Sequence, residues 1–244
     1  MERKNIDLSI VLACYNEMEH INKSLYKLVE YLDNTNISYE LILIDDCSTD
    51  GTVQEIPKLA KKYPKIKWYL HKKNIGRGGT IAEGIKVAKG KMVGFIDIDL
   101  ETPPWYILPV YIQIKNGYDI ALAQRIYKFN IRKILRFITS RGYNILVRKL
   151  LEVPFLDTES GFKFFNKKKI LPILEEIKDK RWFWDTEVIV RSYYKGYKIK
   201  EIPTLFKTDP NKTSTVNLFR DSIDYFKNLV KFRKEFKYFK KQNM

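Results

Sequence analysis

Along the first half of the chain the apolar residues gather in short runs: LSIVLA at 8–13, ELILI at 40–44, IKWYL at 66–70, KMVGFI at 91–96 and DIALA at 119–123. Short apolar runs without polar alternation are the pattern of strands covered on both faces. Between the runs the spacing lengthens to three and four residues, which predicts helices over about 18–33, 52–63, 77–89 and 103–116. Strand–helix alternation implies an α/β fold, a mostly parallel central sheet flanked by helices, with ligands at the carboxyl ends of the strands. Asn16, Glu17, Asp45, Asp46, Asp97 and Asp99 each follow a strand directly, so all six are expected on one rim.

The second half has a different rhythm. The pattern predicts a long helix over 130–151, a short strand GFKFF at 161–165, a helix over 184–195, a strand KIKEIP at 198–203 and a last helix over 216–240. No internal repeat or low-complexity linker interrupts it.

Charge sharpens this division. The 244 residues carry a net +16, and segment 125–151 holds eight basic residues and no acid. Segment 216–244 holds eight basic residues and three acids, so the two segments account for 13 of the 16 net charges. Charge so concentrated points to an anionic partner. In 130–151, Ile131, Ile134, Leu135, Ile138, Ile145 and Leu146 follow helical spacing, with Arg132, Lys133 and Arg136 elsewhere on the helix. In 216–240, Phe219, Ile223, Phe226, Val230, Phe236 and Phe239 do likewise. Basic amphipathic helices of this kind suit an anionic membrane surface, although the same apolar faces can pack on the sheet. No window of 18 apolar residues encodes a membrane span, and the start of the chain lacks a secretory cleavage pattern. These features predict a cytoplasmic protein held peripherally at the inner face of the membrane. Cys14 and Cys47 are expected as buried, reduced thiols. His20 and His71 lack ligand spacing for a metal.

The chemistry concentrates where strands end. In VGFIDIDLETPP, Asp97 and Asp99 stand two apart, so on a strand they would share one side. Paired carboxylates repel and are costly to bury unless a cation joins them. Mg²⁺ or Mn²⁺ commonly binds one or two such carboxylates, with substrate phosphates completing the shell. Asp46, in DDCSTDGT, is placed to accept from the N–H groups of a nucleobase, while Ser48–Thr52 supply turn and cap residues. NIGRGG at 74–79 is a Gly-rich turn opening a helix, suited to close approach by phosphate.

Taken in order, VLACYNE, IDDCSTDGT, NIGRGG, FIDIDLETPP, ALAQR, DTESGFKFF and GYKIKEIPT resemble a family 2 glycosyltransferase of the GT-A, Rossmann-like nucleotide-diphospho-sugar fold. The resemblance is to the polyprenyl- and dolichyl-phosphate hexosyl synthases, and spans about residues 7–235. It implies that Tyr15, Glu17, Ile44 and Asp46 hold base and ribose, with Ala13 in place of the usual Pro and Ile98 near the ribose. It implies Asp97, Asp99 and Glu101 as ligands of Mg²⁺ or Mn²⁺ on the diphosphate. Asp99 counts as catalytic, with Arg125, Arg136 and Ser140 receiving the acceptor phosphate. Where mannose-type relatives carry a late Arg and a Gly-x-Ser-Lys, this chain reads Asp209 and KTST at 212–215, leaving Lys207 or Lys212 as substitutes.

The implied organisation is a catalytic domain over 1–215 and a C-terminal, membrane-interfacial amphipathic helix over 216–244. The implied reaction moves a hexose, with inversion, from a UDP-glucose or GDP-mannose type donor to a polyprenyl or dolichyl phosphate. A phosphate oxygen is already anionic and needs no strong base, whereas guanidinium groups suit its charge. A membrane partner subunit is compatible with this, since many relatives carry spans of their own. Two other readings remain open: a soluble family 2 transferase acting on a saccharide or protein hydroxyl, and a basic nucleic-acid-binding module. The first would need a base, for which Asp185 and Glu187 in WFWDTEV are candidates; Asp185 can also serve as a helix cap. Acids along the rim argue against nucleic acid as a partner.

Overall fold

A computed structural model describes residues 6–127, 134–207 and 224–235, excluding the side chains of 134–138. Lys128, Ile131, Arg132, Lys133, Asp209, the KTST segment, Phe219, Ile223, Phe236 and Phe239 lie outside the described residues, as do the side chains of Ile134, Leu135, Arg136 and Ile138.

Among the described residues seven strands form one sheet: β1 (Leu8–Cys14), β2 (Tyr39–Asp45), β3 (Ile66–Leu70), β4 (Met92–Ile96), β5 (Ile120–Tyr127), β6 (Phe162–Asn166) and β7 (Ile199–Phe206), in the order β3-β2-β1-β4-β6-β5-β7. Each of the seven predicted strands, five of them apolar runs, is present. The β1–β2, β2–β3, β1–β4 and β5–β7 pairings are parallel, whereas β6 runs antiparallel to both β4 and β5. That reversal has a consequence for the site. Phe162, the first residue of β6, pairs with Ile96, the last of β4. The loop entering β6 therefore reaches the same rim as the carboxyl end of β4.

Strand alternation divides the interior into two cores. Val11, Ile42, Val93, Phe95 and Leu122 face one layer with Ile81, Ile85, Val147, Ile173 and Ile189. Ile10, Leu12, Leu41, Leu43 and Phe164 face the other with Leu25, Leu28, Ile56 and Val110. The first layer holds α3 (Arg77–Val87), α5 (Ile134–Leu151), α6 (Lys167–Leu174) and α7 (Trp184–Tyr194); the second holds α1 (Ile21–Asp33), α2 (Thr52–Lys62) and α4 (Ile107–Lys115). Each fully buried Leu, Ile or Phe contributes about 1.5–3 kcal/mol. α6 escaped the sequence pattern, since Pro172 and three consecutive lysines obscure its periodicity. Its start is marked by Asn166, whose side chain accepts from the Lys168 N–H.

Among the described residues of the basic helices, the spaced apolar residues Ile145, Leu146 and Phe226 are exposed and other side chains pack inward. On α5 the inward side chains are Asn144, Val147 and Leu151, while Ile145 and Leu146 are 43% and 38% exposed. Residues 224–235 are helical and pack on the body through Leu229 and Phe232, leaving Phe226 exposed. Phe232 meets the Phe183 ring edge-on, and the Tyr225 hydroxyl donates to the Trp182 carbonyl. Among the described residues no helix is long and apolar enough to cross a membrane. Cys14 is buried and Cys47 half-buried, both as free thiols.

Candidate active site

The rim is assembled from loops that brace one another. After β1, Asn16 sits at φ 56 and its N–H donates to Ser48 Oγ, while Glu17 N–H donates to Thr52 Oγ1. Asp50 accepts from Met18 N–H on one oxygen and from Thr52 N–H on the other. The Ser48–Thr52 run therefore does more than cap: it ties the β1 loop to the start of α2, whose N-cap is Gly51 in a left-handed conformation. Tyr15 is left 44% exposed on this surface. Ala13, half-buried, packs against the core, and Ile44 and Ile98 are core residues, 1% and 2% exposed. Neither isoleucine presents a free surface to a ligand.

Asp46 is committed to the Gly-rich turn. Its two oxygens accept from Ile75 N–H at 2.8 Å and Gly76 N–H at 2.9 Å, and its Oδ1 lies 2.9 Å from His71 Nδ1. The other ring nitrogen of His71 lies 3.1 Å from Glu83. Asp45 accepts from Ser48 N–H through Oδ2; its Oδ1 is buried without a hydrogen-bond partner. Asp46 thus holds the turn from which Arg77 projects.

Asp97 and Asp99 do not lie on β4, which ends at Ile96; they occupy the turn beyond it. Their placement comes from partners rather than from strand alternation. Asp97 N–H donates to the Gly161 carbonyl, and Asp97 Oδ1 accepts from Arg77 Nε at 3.0 Å and Nη2 at 2.6 Å. Asp99 Oδ1 accepts from Glu101 N–H at 3.1 Å. Glu101 is only 7% exposed, and its carbonyl accepts from Lys207 N–H. Among the described residues no three Asp, Glu, His or Cys side chains converge as a metal cage, so Asp97, Asp99 and Glu101 are not a preassembled three-carboxylate site. Asp97, with 46% of its side chain exposed, and Asp99 still offer hard oxygen donors suited to Mg²⁺ or Mn²⁺ shared with phosphates.

Behind the turn lies a buried charge relay. Arg77 Nη1 is 2.5 Å from Asp185 Oδ2, and Asp185 Oδ1 is 2.6 Å from Lys163 Nζ. Lys163, in the middle of β6, is wholly buried and also donates to the Ser160 carbonyl. Burial lowers its pKa, and Asp185 pulls the other way. Asp185 is in the first turn of α7 but is not its cap, which is Phe183. Glu187 accepts from Lys178 and Asp179 N–H groups and from Arg191. Both carboxylates are engaged inside the fold.

The second cluster surrounds Arg125. Its Nε and Nη2 each lie 2.7 Å from a different oxygen of Asp157, and its backbone N–H donates to Asp157 as well. Burial opposes the charge of Asp157, but the guanidinium holds that carboxyl below the usual range. Nη2 is also 3.4 Å from Ser140 Oγ, which donates to Glu159 Oε2 at 2.8 Å. Burial pushes the Glu159 carboxyl up to about 7. The structure thus brings Arg125 and Ser140 together across 15 residues of sequence. Arg136 lies outside the described side chains.

Five functional candidates were not singled out by sequence reasoning: Asp157, Glu159, Gly161, Lys163 and the bridging role of Arg77. A signal existed in DTESG, four polar residues entering an apolar strand, and in a lysine set within FKFF.

Comparison with known proteins gives the family and the fold. The model of the family described as Glycosyl transferase family 2 matches residues 9–174. The chain belongs to glycosyl transferase family 2. A protein of similar sequence is glycosyltransferase AglD of Haloferax volcanii, 30% identical over 223 residues, 89% of this chain and 35% of that protein. The dolichyl-phosphate beta-glucosyltransferases of Dictyostelium discoideum and Saccharomyces cerevisiae are 28% and 27% identical, covering 94% and 93% of this chain and 74% of each relative. The chain thus spans about a third of AglD and about three quarters of the other two. In fold it resembles glucosyl-3-phosphoglycerate synthase from Mycobacterium tuberculosis in complex with UDP, at TM-score 0.70 and 18% identity over 94% of this chain and 80% of that one. It also resembles a mannosyltransferase from Pyrobaculum calidifontis in complex with GDP-Man and Mn²⁺, at TM-score 0.59 and 14% identity over 86% and 59%. The family 2 chain has the GT-A fold.

Proposed function

We propose that this family 2 enzyme transfers a hexose, glucose foremost, from a nucleotide diphosphate sugar to a polyprenyl phosphate at a membrane surface. The carrying observation is the reversed strand β6. Its entry loop places Gly161 against Asp97 and Asp157 against Arg125, so the carboxylate turn and the arginine–serine pair share one rim. The names of the dolichyl-phosphate relatives support the acceptor class.

In this reading the C1–O bond to the nucleotide diphosphate breaks as a phosphate oxygen of the acceptor attacks from the opposite face, inverting the anomeric centre. No proton has to move. Asp97 and Asp99 would hold Mg²⁺ or Mn²⁺, which when bound supplies positive charge for the leaving diphosphate. Arg125 and Ser140 orient the acceptor phosphate through charge-assisted hydrogen bonds. Tyr15, Glu17 and the turn held by Asp46 receive the nucleoside. The engagement of Asp185 with Arg77 and Lys163, and of Glu187 with Arg191, supports an acceptor that needs no base.

The membrane face in this reading is carried by two adjacent helices. Tyr143 of α5 meets Tyr225 edge-on, with ring centroids 4.9 Å apart. On the solvent side α5 presents Ile145, Leu146 and Lys149, and the second helix presents Phe226 and Lys227. Apolar residues flanked by lysines suit an anionic leaflet, with each lysine contributing on the order of 1 kcal/mol. The 216–244 segment would then serve as a docking element for the cytoplasmic leaflet while 224–235 stays packed on the catalytic body, and a membrane-spanning partner subunit is compatible with it.

A second reading rests on Glu159. A buried carboxyl with a pKa near 7 beside Ser140 is a candidate base for a hydroxyl acceptor. One assay separates the two. Radiolabelled UDP-glucose is incubated with enzyme, Mn²⁺ and either dolichyl phosphate or soluble saccharides. Label extracted into organic solvent only with dolichyl phosphate supports the proposal; label confined to a water-soluble saccharide supports the second reading.

A further inference from the structure

Asp97, Arg77, Asp185 and Lys163 form a linear quartet of alternating carboxylates and cations. Asp97 is the most open of the four, with 46% of its side chain exposed, against 14% for Arg77, 2% for Asp185 and none for Lys163. Arg77 is fixed from three sides. Its Nη1 meets Asp185, its Nε and Nη2 both meet Asp97 Oδ1, and its guanidinium carbon lies 5.3 Å from the Phe95 ring centre and 5.5 Å from that of Trp182. Lys163 holds Asp185 from the far side. The formal charges of the quartet sum to zero, with the carboxylate of Asp99 acting on Asp97 from outside it.

We propose that Arg77 is a resident counter-cation for Asp97 and makes metal binding conditional on the sugar donor. This inference rests on the reading of Asp97 as a metal carboxylate. A divalent ion arriving alone meets Asp97 already paired with a guanidinium charge, which leaves Asp99 as the carboxylate to attract it. Like charges that close oppose binding. An ion arriving with a diphosphate brings its own negative charge, and the diphosphate also gives Arg77 a new anionic partner while Asp185 keeps it anchored. Metal and donor therefore enter as a unit, and the empty enzyme neither collects cations nor loses the shape of its turn. Lys163 and Asp185 act here as positioning residues, setting the guanidinium plane.

The test is direct Mn²⁺ binding, followed by the loss of the free-ion electron paramagnetic resonance signal, with and without UDP. Wild-type protein is compared with Arg77→Gln and Asp97→Asn. Arg77→Gln is expected to bind Mn²⁺ alone about tenfold more tightly than wild type, and to lose most of the enhancement that UDP gives. Its melting temperature without metal should fall and recover on Mn²⁺ addition. Unchanged or weaker Mn²⁺ binding by folded Arg77→Gln overturns the inference. If Arg77→Gln does not fold, Arg77→Lys serves: one ammonium cannot span both carboxylates, so a smaller gain in Mn²⁺ affinity is expected, and no gain overturns it. Asp97→Asn reports on the premise. Undiminished Mn²⁺ binding with UDP in that variant removes the metal role of Asp97 and the inference with it, whereas lost binding there with no gain in Arg77→Gln defeats the counter-cation alone.

Discussion

Gly161 stands so close to Asp97 that a Cβ on it would lie 1.7 Å from Asp97 Oδ2. The absence of a side chain at 161 is what lets the carboxylate settle against the strand entering from the opposite direction. Gly161→Ala is expected to push Asp97 off Arg77, at a cost of about 1–3 kcal/mol in stability. Mn²⁺-dependent binding of UDP-glucose should weaken by more than tenfold while binding without metal changes little. Calorimetric titration in Mn²⁺ and in EDTA checks both halves.

Arg125 and Asp157 are a buried bidentate pair. Removing one partner leaves the other charged and unsolvated, so Arg125→Ala should lose about 3–5 kcal/mol of stability in a urea titration. Arg125→Lys keeps the charge but not the fork. It is expected to fold and to show a raised KM for dolichyl phosphate with little change in KM for the donor.

Glu159 links pH to stability with a definite sign. Its carboxyl moves from 4.5 to about 7 on burial, so across that window the folded chain retains a proton that the unfolded chain has lost. The Glu159 contribution therefore makes the protein less stable as pH rises through the window, with no further change above it. Glu159→Gln should flatten this component in urea midpoints taken between about pH 5 and about pH 8. A neutral Glu159 also leaves more of the Arg125 charge for a phosphate, so acceptor KM should be lower on the acid side of 7 and less pH-dependent in the Gln variant.

The exposed pair on α5 gives a test of the membrane face. Replacing Ile145 and Leu146 together by Asp should reduce partitioning onto vesicles containing anionic lipid by about tenfold or more. Binding of the nucleotide sugar in solution should stay as in wild type, because Ile145 and Leu146 are exposed side chains outside the groups assigned to the donor. Equal loss of both would assign the pair to the fold instead.

Legibility in the sequence followed physical rules. The inner strands announced themselves because a segment buried on both faces must be continuously apolar, whereas the edge strands β3 and β7 leave Trp68, Tyr69, Leu70 and Leu205 exposed. The acids after those strands were equally visible, since a chain leaving the core at Asp46 or Asp97 changes composition abruptly. Strand direction was not visible: GFKFF reads the same whichever way it runs, and only pairing with β4 and β5 shows the reversal that carries Gly161, Glu159 and Asp157 to the rim. Long-range charge pairing was invisible for the same reason. Arg77 and Asp185 are 108 residues apart. A lysine in a strand reads as an edge residue until its partner is found. Spacing alone left the faces of α5 open: Ile145 and Leu146 fit a helical stripe and are exposed, while the residues turned inward include the polar Asn144, held by Glu159 and Thr158.

The central claim is that the turn bearing Asp97 and Asp99 grips the sugar donor through a divalent ion. Calorimetric titration of UDP-glucose, with GDP-mannose as comparator, into wild type and Asp99→Asn, each with Mn²⁺ and with EDTA, addresses it most directly. The account requires wild type to bind one of these donors at least tenfold more tightly with Mn²⁺, and Asp99→Asn to show no such gain. Equal donor affinity with and without metal in the wild type would contradict it.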